Sequence, residues 1–183
     1  MSNKKETSGK KESNMLLELV KDLIIAIIIA GGVLYFVRPT IVKQTSMQAT
    51  MNPNDYLIMY RQAYRSKSPE RGDIIIFQSD LMDDEGNDKL LIKRVIGLPG
   101  DKIQIMNQKV YINGEEYKEN YLKDGYTTGE GTWNVPKNHY FVMGDNRVVS
   151  VDSRYSEVGF VDKDQIEGKV VIRLFPFNKI KTF

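Results

Sequence analysis

Hydrophobic positions fall into two unlike regimes along this chain. Positions 1–14 are polar and carry Lys4, Lys5, Lys10 and Lys11, a composition that predicts a disordered tail. From Met15 to Val37 nearly every residue is apolar, without the polar stripe of a helix packed on a protein surface. A bilayer core takes roughly 20 helical residues. The uncharged stretch 23–37 is short for that, and extending it back to Leu16 supplies the length. Lys21 and Asp22 then sit near the headgroups, where a lysine can snorkel. The pattern predicts a transmembrane anchor over 15–38, closed by Pro39, whose ring keeps the preceding residue out of the α region. A cleaved signal peptide shares the basic start and apolar run, but Tyr35-Phe36-Val37-Arg38-Pro39 is a poor small-x-small site. The lysines ahead of the anchor predict a cytoplasmic amino terminus and an extracytoplasmic 39–183, a single-pass cell-membrane protein.

Beyond Pro39 no helical period persists. Short β-prone runs at 56–60, 73–77, 90–96, 103–106, 109–112, 139–143 and 169–175 alternate with turn signals, among them Leu98-Pro99-Gly100-Asp101 and Asn113-Gly114. This predicts a mostly β fold over 39–183, a small antiparallel β-sheet domain behind one amino-terminal helix. The acidic run 80–88 lacks the ligand pattern of an EF-hand and reads as a solvated hairpin loop. Residues 115–133, polar and carrying Gly125, Gly129 and Gly131, read as a flexible excursion or a small subdomain.

Composition narrows the chemistry. The chain has 183 residues and a formal charge of only +2, so nothing argues for a nucleic-acid partner. With no cysteine, thiol catalysis, disulfides and zinc–thiolate sites are excluded. No phosphate-binding loop, dinucleotide fingerprint or His-Glu-x-x-His signature occurs, and neither metal nor cofactor is expected.

One lysine then stands out. Lys93 lies in the aliphatic run Leu90-Leu91-Ile92-Lys93-Arg94-Val95-Ile96. An edge strand whose cations reach water explains it simply. A buried lysine loses hydration, its pKa falls, and it can act as a general base near neutral pH. Its best hydroxyl partner by context is Ser46, just beyond the anchor in Gln44-Thr45-Ser46-Met47, though an ordinary loop serine looks the same. The single histidine, His139, has no Gly-x-Ser-x-Gly elbow to serve. The two Ser-x-x-Lys matches, Ser2 to Lys5 and Ser8 to Lys11, fall in the polar tail. The densest polar stretch, 144–159, reads as a turn with surface ion pairs or as a buried scaffold. In the second case Asp145 with Arg147, or Asp152 with Arg154, would lock a loop by charge-assisted bonds, and Ser150 could orient the lysine amine.

Taken in order behind an anchor, four blocks resemble the type I signal peptidases of bacteria, membrane-bound Ser-Lys serine proteases, in their short Gram-positive form. They are Ser46-Met47 with Thr50; Gly72-Asp73; Lys93 through Asp101; and Gly144-Asp145-Asn146-Arg147 with Ser150, Asp152-Ser153-Arg154 and Gly159. The resemblance implies Ser46 as nucleophile, Lys93 as general base and Ser150 as the residue positioning the lysine. Asp145, Arg147, Asp152 and Arg154 become structural support. The backbone N–H of Ser46, helped by Gln44 or Thr45, would hold the oxyanion. The implied substrates are signal peptides of exported precursors, cut after small-x-small sites such as Ala-x-Ala, beside membrane lipid and without a cofactor. Thr45 and Ala49-Thr50-Met51 stand where the family usually has glycine and Pro-Thr-Leu. A Ser-Lys membrane protease with one dedicated substrate, and an inactive membrane-anchored peptide-binding β module, stay open as alternatives.

Overall fold

The computed structural model describes residues 3–83, 85–122 and 124–183, with side chains from Met15 onward. Met1, Ser2, Asp84 and Lys123 lie outside the described residues, as do the side chains of both Ser-x-x-Lys matches. The chain divides between Val37 and Arg38 into two units.

The first unit is one helix, α1 (Asn3–Phe36). Its segment Met15–Phe36, with mean hydropathy 2.2, is long and apolar enough to cross a membrane, and none of it is buried against protein. The helix starts at Asn3 rather than after the polar tail. Lysine and glutamate are good helix formers, and a long apolar helix supplies the costly nucleus onto which they add.

The second unit is β-rich. Its strands are β1 (Val37–Ile41), β2 (Tyr56–Tyr60), β3 (Ile74–Met82), β4 (Asp88–Gly97), β5 (Lys102–Met106), β6 (Lys109–Ile112), β7 (Glu115–Glu116), β8 (Gly131–Asn134), β9 (His139–Met143), β10 (Val161–Asp162), β11 (Ile166–Phe175) and β12 (Lys181–Thr182). The large sheet runs β1-β2-β11-β3-β4-β9-β10, with β12 on β11, and a smaller sheet runs β7-β6-β5-β8. All seven expected strands are present, most with shifted ends. Short strands without an apolar alternation of their own, β7, β10 and β12 among them, form only because a neighbour offers its ladder. Pro39 sits in the edge strand β1, where a missing N–H does no harm.

Two expectations change. The acidic loop shrinks, because β3 extends to Met82 and β4 starts at Asp88. Residues 115–133 contribute β7 and β8 to the smaller sheet. That sheet buries Ile103, Ile105, Val110 and Ile112 against Ile96, Phe141 and Met143, so strands of the large sheet complete its core.

The edge-strand explanation of Lys93 fails. β4 lies between β3 and β9, with Lys93 opposite Ile75 and Arg94 opposite Met143. Leu91, Lys93 and Val95 form its buried alternation, and Lys93 is 1% exposed.

Candidate active site

Ser46 sits in the turn 45–51, which two neighbours pin in place. Met47 and Met51 are buried in the core with Val42, Leu57, Met59 and Val170. Backbone bonds close the turn, from Gln48 N to Thr45 O at 3.1 Å and from Met51 N to Met47 O at 2.8 Å. Its far end is held by Arg173, which donates to Thr50 O at 2.9 Å and pairs with Asp55 at 3.0 Å. The side chain of an apolar residue on each side of the turn goes inward, leaving Ser46 half-buried at the surface.

Lys93 reaches this turn from β4. Its Nζ donates to Ser46 Oγ at 2.8 Å. Burial pushes the ammonium down from the usual 10.5 to about 8, opposed by the Asp152 and Asp145 carboxylates and assisted by Arg154 and Lys89. Removing water from an amine disfavours its charged form, and here that effect exceeds the attraction of both carboxylates. A substantial neutral fraction then exists near neutral pH, beside a hydroxyl within reach of its lone pair.

A cleft of about 700 Å³ runs past Ser46, lined by residues 38–44 on one side and 88–90 with Ile92 on the other, with Met47, Met59 and Ile76 also lining it. Gln44 is exposed and lines the same cleft. A groove between the edge strand β1 and the β3–β4 hairpin can accept an extended chain.

The loop after β9 supports the turn from the other direction. Asn146 N donates to Ser46 O at 2.9 Å, and Asn146 Nδ2 donates to Thr45 O at 3.2 Å. Gly144 is a position of close approach. A Cβ added there would come within 2.3 Å of Ser150 Oγ and 2.4 Å of Ser46 O. Ser150 is 2% exposed, and its hydroxyl is the one buried side-chain polar atom without a hydrogen-bond partner among the described residues. The expected bond from Ser150 to the lysine amine is therefore not made.

The acid–base pairs are partly rearranged from expectation. Asp152 does pair with Arg154, through two bonds of 2.8 and 2.9 Å, and Asp152 Oδ2 also accepts from Gly144 N at 2.9 Å. Arg154 further donates to Ser150 O at 3.1 Å and Thr128 O at 2.8 Å. Asp145, however, pairs with Arg94, through bonds of 2.9 and 2.7 Å. Arg94 also donates to Gly72 O at 2.8 Å and lies over the Tyr121 ring, 4.1 Å from its centroid. Arg147 turns instead to Glu119 and Thr127, from the 115–133 segment. Burial works against the Arg147 charge, and Glu119, helped by Tyr121 and Asp152, more than offsets it, so the guanidinium stands above its ordinary pKa.

Reading the sequence for local pairs missed Arg94, Glu119 and Thr127. Arg94 carried a signal: next to Lys93 in a strand, it had to leave on the other side and find its own anion. Glu119 and Thr127 carried none, being ordinary polar residues of a polar segment. In the second block, Asp73 holds Tyr64 Oη at 2.9 Å and Lys169 Nζ at 2.6 Å, a brace between β3 and β11. His139 is engaged at the surface by Lys137 O at 2.8 Å and lies 3.6 Å from Asp162. No group of His, Asp and Glu suited to a metal occurs among the described residues.

Known proteins are similar to this chain along most of its sequence. Residues 16–175 match the family described as "Signal peptidase, peptidase S26". A probable signal peptidase I-2 of Synechocystis sp. is 38% identical, over 96% of this chain and 82% of its own. A signal peptidase I of Bacillus licheniformis is 37% identical, over 99% of this chain and 98% of its own. A crystal structure of a signal peptidase I from Enterococcus faecalis V583 shares 37% identity, covers 56% of this chain and 97% of its own, and superposes with a TM-score of 0.48. On the match across residues 16–175 and the full-length similarity to these relatives, the chain belongs to the signal peptidase family, peptidase S26.

Proposed function

We propose that this protein is a serine endopeptidase that removes amino-terminal signal peptides from exported precursors after small-x-small sites, typically Ala-x-Ala. Ser46 is the nucleophile and Lys93 the general base. The observation that carries this reading is the 2.8 Å bond between Lys93 Nζ and Ser46 Oγ, made by a lysine that is 1% exposed and titrates at about 8.

Neutral Lys93 takes the Ser46 proton as Oγ attacks the scissile carbonyl. The Ser46 backbone N–H, with Gln44 from the cleft wall, holds the oxyanion. The protonated lysine gives its proton to the leaving amine. Neutral again, it activates the water that releases the acyl-enzyme. At pH 7 about a tenth of a base with this pKa is neutral, enough for catalysis and strongly pH-dependent. Ser150, whose buried hydroxyl has no partner at rest, would steady the amine once the Ser46 proton has moved. Asp145, Arg147, Asp152 and Arg154 keep the surrounding loop in register.

The substrate lies extended in the cleft between 38–44 and 88–92, adding its backbone as a strand. Four lysines ahead of the apolar segment Met15–Phe36 favour a cytoplasmic amino terminus. The β unit then works outside the cytoplasmic membrane, against lipid and the signal peptides emerging from it.

The test is cleavage of an Ala-x-Ala precursor by Ser46→Ala and, separately, Lys93→Ala. Both substitutions should abolish it, and retained cleavage by either variant sinks the assignment. A panel of secreted precursors separates general processing from a dedicated substrate.

A further inference from the structure

We infer that Glu119 is a positioning residue for the reaction at Ser46, acting through Arg147 and Gly144. This rests on the reading of Ser46 and Lys93 proposed above and extends it to a segment outside the four blocks.

Glu119 follows β7 in the segment between the two outer strands of the smaller sheet, yet its side chain is only 5% exposed. Both terminal nitrogens of Arg147 are committed to its carboxylate, Nη1 at 2.8 Å from Oε2 and Nη2 against Oε1. Thr127 Oγ1 also accepts from Arg147 Nη1, and its hydroxyl donates to Glu119 at 3.4 Å. Tyr121 Oη donates to the other carboxylate oxygen. A planar guanidinium held at two nitrogens has its third direction fixed. That third nitrogen, Nε, donates to Gly144 O at 2.9 Å.

Gly144 is where this matters. Its N–H is held by Asp152 at 2.9 Å and its carbonyl by Arg147. Ser46 O and Ser150 Oγ crowd the space where a Cβ would stand. Asn146, two residues on, donates to Ser46 O. Glu119 therefore sets the backbone against which the Ser46 turn rests. Without that carboxylate, Arg147 keeps a buried charge with only the Thr127 hydroxyl and a long 3.4 Å contact to Tyr121 Oη for its terminal nitrogens, neither of them an anion, and it must swing toward water. The Gly144 carbonyl is then released, and the Ser46 peptide loses its stop. The cleft lining does not include Glu119, Arg147 or Gly144. The effect belongs in turnover, not in substrate affinity.

The experiment compares wild type, Glu119→Gln and Glu119→Asp as full chains in detergent, with Ser46→Ala as control. Glu119→Gln should lower kcat by about tenfold or more, as expected for a slightly misplaced nucleophile, with KM within about twofold. Glu119→Asp keeps the charge and should recover much of the loss, to within about fivefold of wild type. Wild-type kcat in folded Glu119→Gln overturns the inference, as does a loss confined to KM. If Glu119→Gln does not fold, Arg147→Lys is read in its place, since an ammonium cannot be held by Glu119 at two nitrogens while donating from a third to Gly144 O: reduced kcat at unchanged KM supports the role, and wild-type kcat overturns it. Cleavage surviving Ser46→Ala is a separate failure, that of the proposed function itself.

Discussion

Lys93 and Arg94 are adjacent on β4 and reach different partners: Lys93 Nζ donates to Ser46 Oγ at 2.8 Å, while Arg94 forms a two-bond ion pair with Asp145. Successive residues leave a strand on opposite sides. One strand thus presents a lysine to Ser46 and ties itself to the loop against which the Ser46 turn rests.

The acid limb of kcat/KM should follow Lys93. A Lys93 acting as base must be neutral, and burial lowers its pKa to about 8, so activity should rise as pH climbs through that value and level off above it. A profile in the free enzyme that is flat between pH 6 and 9 contradicts a lysine base with this pKa.

Lys93 should also leave a mark on stability. Below pH 8 both folded and unfolded chains carry the proton, and the folded state bears the full cost of the buried charge. Between about 8 and 10.5 the folded state alone is neutral, so stability rises with pH across that window. The separation of the two values corresponds to about 3 kcal/mol. Denaturant unfolding of Lys93→Met should therefore show its greatest advantage over wild type near pH 7, shrinking by pH 10.5.

Ser150→Ala should separate stability from function. The Ser150 hydroxyl is buried without a hydrogen bond, so its removal should leave the unfolding free energy unchanged or raise it by about 1 kcal/mol. If the hydroxyl steadies Lys93 in turnover, kcat should nevertheless fall by about tenfold or more. Wild-type kcat in this variant removes Ser150 from the mechanism.

Gly144→Ala should be severe. The added methyl meets Ser150 Oγ at 2.3 Å and the Ser46 carbonyl at 2.4 Å, and the backbone oxygen cannot turn away as a side chain can. A loss of kcat of about a hundredfold is expected from displacement of the Ser46 peptide, read against cleavage of the same precursor by wild type.

Asp145→Asn tests the brace on β4. Arg94 would keep its charge in a mostly buried site without its anion, at a cost of about 3 kcal/mol in unfolding experiments. Lys109→Ala, at the exposed pair with Glu116, should leave stability unchanged.

The sequence by itself determined the membrane-length helix, the β-rich nature of 39–183, the seven principal strands and the candidates Ser46, Lys93 and Ser150. These are local properties: an apolar run of fixed length, a two-residue alternation, glycine and proline at turns, a cation among aliphatics. The tertiary structure alone decided that β4 is interior rather than an edge, since strand order depends on which distant segments pair. It also exchanged the partners of Asp145 and Arg147. Sequence proximity favoured pairing them with each other, but the two side chains diverge in the loop and find Arg94 and Glu119 instead. A charge removed from water is stabilised by whichever counter-ion the fold brings within bonding distance, and that distance is not written in the spacing along the chain.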